Sequence, residues 1–91
     1  MIKPDVQERR SLRYIRLAAH FAAQPSEVDR VELTIPEIEA LVDKDLPQDA
    51  RQPSWWRNDE RRMHSRAWMT AGWRVSSMDP ATGTVVFVRS D

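Results

Sequence analysis

All four tryptophans of this chain, Trp55, Trp56, Trp68 and Trp73, fall between residues 53 and 73. An indole buries more apolar area than any other side chain and is costly to leave in water. This stretch must therefore anchor the core. The arginines threaded among the anchors (Arg57, Arg61, Arg62, Arg66 and Arg74, with Arg51 upstream) cannot share that core. A backbone pinned by indoles has to turn these guanidinium groups outward, which is what a positively charged binding surface requires. All four tryptophans are read as core residues; the alternative, since adjacent side chains of an extended segment point opposite ways, is that one of Trp55 and Trp56 is half exposed and stacks on a base or a partner's side chain.

A length of 91 residues predicts a single small domain. The chain has no cysteine, hence no disulfide framework and no thiolate metal site, and this fits a reducing compartment. Its apolar runs are short, Val85 to Val88 being typical, and Met1 to Asp5 lacks the apolar stretch of a signal peptide. A cytoplasmic protein without membrane contact is the expectation. The net charge of +0 conceals blocks: +3 over residues 1–26, −6 over 27–49, +4 over 50–74 and −1 over 75–91. A basic face can attract phosphates even on a neutral molecule, although the blocks can equally pair with each other.

The periodicity predicts a first helix over about residues 5–23, with Leu12, Ile15, Ala19 and Ala22 forming the apolar stripe and Ala18 and Phe21 widening it. Residues 30–34 alternate as a short strand. Thr34-Ile35-Pro36-Glu37 is a capping box with proline in the first turn, and Leu33 and Ile38 are spaced as a hydrophobic staple. A second helix over 35–44 follows, then a connection over 45–61 with two prolines. A third helix is predicted over 62–71 with Gly72 just past its end, followed by a hairpin over 73–89 turning at Asp79 to Gly83. Leu33, Ile38, Leu41, Trp68, Val75 and Phe87 are expected to meet in one core.

This order predicts an α+β, winged-helix-like domain: three helices, a short strand after the first, and a C-terminal two-stranded β-hairpin. The second and third helices then stand as a helix-turn-helix, and the third is the one offered to a DNA major groove. On that reading Arg57, Arg61, Arg62 and Arg74 contact phosphates, Arg66 and Asn58 are the candidates for reading bases, and the ribbon tip near Thr82 serves as a wing. The partner is double-stranded DNA. A different class remains open: a protein-interaction adaptor or inhibitor working through the acidic second helix (Glu37, Glu39, Asp43, Asp45). Asn58 has an alternative role as a cap or turn residue, and Ser65 as the cap of the third helix. A homodimer is compatible with either class.

Ser54-Trp55-Trp56-Arg57-Asn58, then Ala67-Trp68-Met69-Thr70-Ala71-Gly72-Trp73, then the closing Val85 to Arg89, resembles a family of small uncharacterised bacterial and phage domains. Their shared pattern is Ser-Trp-Trp-x-Asn followed by Ala-Trp-x-x-Ala-Gly-Trp and a final hairpin. The resemblance covers roughly residues 30–90. Some members of that family are joined to nuclease-like domains, so the resemblance implies a nucleic-acid role. In this chain Asp59 and Glu60 interrupt the basic run.

Nothing in the sequence calls for catalysis or a cofactor. His20 and His64 lack partners at metal-ligand spacing, and Asp43, Asp45 and Asp49 lack the spacing of a calcium loop. With glycine only at positions 72 and 83, there is no phosphate-cradling loop and no nucleophile elbow.

Overall fold

The computed structural model describes residues 14–90. The elements run α1 (Ile15–Ala22), β1 (Arg30–Thr34), α2 (Ile35–Val42), α3 (Met63–Met69), β2 (Trp73–Asp79) and β3 (Thr84–Arg89), with 3-10 turns at Gln48–Arg51 and Pro53–Trp56. The class is α+β. β2 and β3 form the expected C-terminal hairpin, which does not stand alone as a two-stranded element: β1 docks on β3 and makes a three-stranded antiparallel sheet in the order β1-β3-β2. Val31 lies opposite Phe87 and Leu33 opposite Val85, so the apolar residues of β1 share the face that β3 turns to the helices.

The start of α2 is encoded locally. The Thr34 hydroxyl accepts from the Glu37 amide (3.3 Å), the Glu37 carboxylate accepts from the Thr34 amide (2.8 Å), and Pro36 occupies the first turn. The helix ends at Val42, because Asp43 turns left-handed (φ 59°). Aspartate tolerates that region better than most residues do. Gly83 (φ 68°) closes the hairpin and its carbonyl accepts the Ile35 amide (2.9 Å), tying the ribbon turn to the start of α2. Gly72 (φ 87°) takes the left-handed position after α3, as expected.

The first helix keeps Phe21 and Ala18 of its predicted stripe against the core and corrects the rest. Ile15 is 52 % exposed and Ala19 and Ala22 are exposed, while Tyr14, Leu17 and Phe21 are buried. Leu12 and the predicted start near residue 5 lie outside the described residues. The helix has settled onto the side carrying the larger apolar groups, where burial per residue is greatest.

The core gathers Leu17 and Phe21 from α1, Ile38 and Val42 from α2, all four tryptophans, and Val85 and Phe87 from β3. Leu33, Leu41 and Val75 are partly buried against it. Phe87 is the hub of the aromatic contacts, 4.5 Å from Phe21 and 5.6 Å from Trp68 between ring centroids. No helix among the described residues is long and apolar enough to cross a membrane.

Candidate nucleic-acid interface

The connection before α3 has little regular structure, yet side chains fix it at every turn. Trp55 and Trp56 are both buried (9 % and 2 % exposed), as the core reading expects, and the alternative of a half-exposed indole stacking on a ligand falls. The reason is local. Pro53–Trp56 forms a 3-10 turn, and at about three residues per turn successive side chains no longer diverge as they do in a strand. The Trp56 indole donates to the Ala50 carbonyl (2.7 Å), and its ring lies 5.6 Å from that of Trp68. His64 stacks on Trp55 with centroids 3.7 Å apart and planes 3° from parallel, and its Nε2 lies 2.7 Å from the Trp55 carbonyl oxygen. Burial pushes the His64 pKa down, only partly offset by that bond to the backbone of Trp55. The neutral ring therefore donates its Nε2 proton to the carbonyl.

Ser65 does not cap α3. The helix begins at Met63 with Arg62 in the N-cap position, which puts Ser65 inside the first turn. Its hydroxyl instead donates to the Arg57 carbonyl (2.7 Å) and draws the connection onto the helix.

Asn58 is also spent internally. Its amide nitrogen donates to the Val75 carbonyl (3.0 Å), and its oxygen accepts from the Val75 amide (2.8 Å) and the Trp68 indole (2.9 Å). Strand β2 pairs only with β3, so Val75 sits on a sheet edge, and one asparagine supplies the backbone partners that another strand would offer. Reading adenine bidentately would need the same two amide atoms. The structure thus places Asn58 as the lock between the connection, α3 and the sheet.

The arginines divide into two groups. Arg61, Arg62 and Arg66 converge on residues 59–60. The Arg61 guanidinium forks onto the Asp59 carboxylate (Nε–Oδ1 3.1 Å, Nη2–Oδ2 3.3 Å), Arg62 Nε lies 3.7 Å from Asp59 Oδ2, and Arg66 Nε donates to the Glu60 carbonyl (2.6 Å). Arg62 and Arg66 stand one helical turn apart, on the exposed side of α3 that continues to Thr70. The donors of Arg61 hold the Asp59 carboxyl below the usual carboxylate range, and Asp59 in turn raises the Arg61 pKa. Arg57 is exposed just before this cluster. Arg74 is elsewhere. It alternates between the inward Trp73 and Val75 and therefore faces away from the helices, in line with Val88 and, one strand further, Arg30.

One partly buried anchor had no sequence signal. Arg89 Nε donates to the Val28 carbonyl (2.9 Å), its Nη2 donates to the Pro25 carbonyl (2.8 Å), and the guanidinium lies 4.5 Å over the Trp73 ring. It clamps the α1–β1 loop to β3. Of the acidic residues expected on the second helix, Asp43 and Asp45 lie past its end at Val42, and the others have internal duties. Glu37 closes the capping box, Glu39 accepts the Leu46 amide (2.8 Å), and Asp43 lies 3.7 Å from Arg16. Among the described residues no cluster of His, Cys, Asp and Glu could hold a metal ion.

Fold and surface together define a small α+β domain that carries an arginine cluster on a rigid aromatic base. Residues 14–91 match the model of a family described as a domain of unknown function (DUF7662), and the chain belongs to that family. No curated protein and no solved structure matches it.

Proposed function

We propose that the chain is a winged-helix-like DNA-binding module, in which the turn over residues 57–62 and the exposed side of α3 meet the phosphate backbone of a duplex. The order of elements and the docking of β1 on the ribbon support the winged-helix comparison. α3 takes the place of the recognition helix, and the β2–β3 turn around the exposed Thr82 takes that of the wing.

The observation that carries the proposal is the convergence of Arg61, Arg62 and Arg66 on one short turn whose backbone is fixed from behind by Asn58, Ser65 and Trp56. A preorganised set of guanidinium groups loses little side-chain freedom on binding phosphate and matches it bidentately. Arg57 extends this face. Arg74 contributes from the outer sheet face or not at all, and Asn58 reads no base. No catalytic role is proposed. The acidic-helix reading has less support, because the carboxylates of Glu37 and Glu39 are occupied by the capping box and the Leu46 amide.

The test is fluorescence anisotropy with a random-sequence duplex at stepped salt concentrations. Binding that weakens with a log–log slope of about −0.9 per phosphate contact supports the proposal. Absence of binding at low salt would overturn it.

A further inference from the structure

One carboxylate lies inside the arginine cluster. Asp59 Oδ1 accepts from the Arg61 amide (3.0 Å) and Arg61 Nε (3.1 Å), while Oδ2 faces Arg61 Nη2 (3.3 Å) and Arg62 Nε (3.7 Å). Its side chain is 23 % exposed, against 88 % for Arg61 and 43 % for Arg62. The anion therefore sits behind the two cations, where an incoming phosphate would have to compete with it for the same donors. The amide of Arg62 donates to the Asp59 carbonyl (2.9 Å), a turn that fixes the backbone from which the carboxylate projects.

Resting on the DNA-binding reading above, we propose that Asp59 is an internal competitor for phosphate that weakens the arginine face and sets how densely charged a ligand must be to engage it. A single weak anion cannot displace a carboxylate that already forks onto Arg61 and lies beside Arg62. A duplex offers one charge per about 1.7 Å of axis, so several phosphates can take over both guanidinium groups together. The carboxylate stays ionised well below neutral pH, because the donors of Arg61 lower its pKa. The competition therefore persists across the physiological range.

Asp59→Asn tests this. The asparagine oxygen can still accept the Arg61 amide, so the turn survives, and Asp59→Ser is a second variant that keeps an acceptor at the same place. Both are checked for folding by thermal melting and titrated with duplex beside the parent. Exposed ion pairs are individually weak, so removing this carboxylate should tighten duplex binding by about two- to fivefold. The gain should vanish when Arg61→Gln and Arg62→Gln are added, since it acts through those side chains. If the parent binds duplex and folded Asp59→Asn and Asp59→Ser bind no tighter, the competitor role is wrong while the DNA reading stands. A gain that persists without Arg61 and Arg62 also overturns it. If neither the parent nor these variants bind duplex at low salt, the DNA reading itself fails and this inference falls with it.

Discussion

Segments 33–43 and 45–62 are neighbours in sequence and opposites in how they are encoded. In the first, the start and the end of the helix are set by residues within four positions of each other. Thr34 and Glu37 cap each other, Pro36 presets the first turn, and Asp43 ends the helix in a left-handed conformation. In the second, short 3-10 turns are local, but the bonds that fix the segment to the rest of the fold are not. Asn58 binds Val75, Ser65 binds Arg57, and His64 stacks on Trp55, at separations of seventeen, eight and nine residues. The first is a helix that happens to lie in this fold. The second is a shape that exists only because the sheet and α3 are already there, and it is this shape that carries the arginines.

If that contrast is right, breaking the distant lock should cost more than breaking the local cap. Asn58→Ala removes three hydrogen bonds and leaves the Trp68 indole without its acceptor, so it should destabilise by about 2–3 kcal/mol. Denaturant unfolding measures this. A loss below that of the capping mutant would mean the connection is held mainly by its tryptophans. Thr34→Ala should cost about 1 kcal/mol and leave the connection undisturbed. Tryptophan fluorescence should show an unchanged native spectrum for that variant and a shifted one for Asn58→Ala.

A smaller effect comes from pH. The folded-state pKa of His64 is depressed by burial, so the unfolded chain binds its proton more readily than the folded one does. Stability from this group is fully present above the unfolded value of about 6.5 and falls as pH drops from there through the lowered folded value. Melting curves of the parent should show this decline. His64→Gln should show a shallower one, and equal slopes would mean His64 is not held neutral.

The same contrast explains how legible the molecule was. The α2 cap, the Gly72 and Gly83 turns and the burial of Trp68 and Trp73 could be read directly, because propensity, capping and apolar patterning act over short range. The roles of Asn58, Ser65 and Arg89 could not be read, since each depends on a partner brought close only by the tertiary fold. The α1 stripe was placed only in part: Phe21 and Ala18 face the core as expected, but Ile15, Ala19 and Ala22 fit a helical period as well as Tyr14 and Leu17 do, and only packing chooses between them. For the arginines, composition announced a cluster, but strand alternation removed Arg74 from it.

The central claim is that the inner side of residues 55–69 builds the fold while the arginines on its outer side serve a ligand. The direct measurement is duplex affinity against salt for the parent and for a variant with Arg61→Gln, Arg62→Gln and Arg66→Gln. The variant should melt within a few degrees of the parent, because these are surface changes among good helix formers. Its duplex binding should be weaker, with a salt slope smaller by about 0.9 for each phosphate contact removed. A folded variant that binds duplex as the parent does, with the same salt slope, would contradict the account.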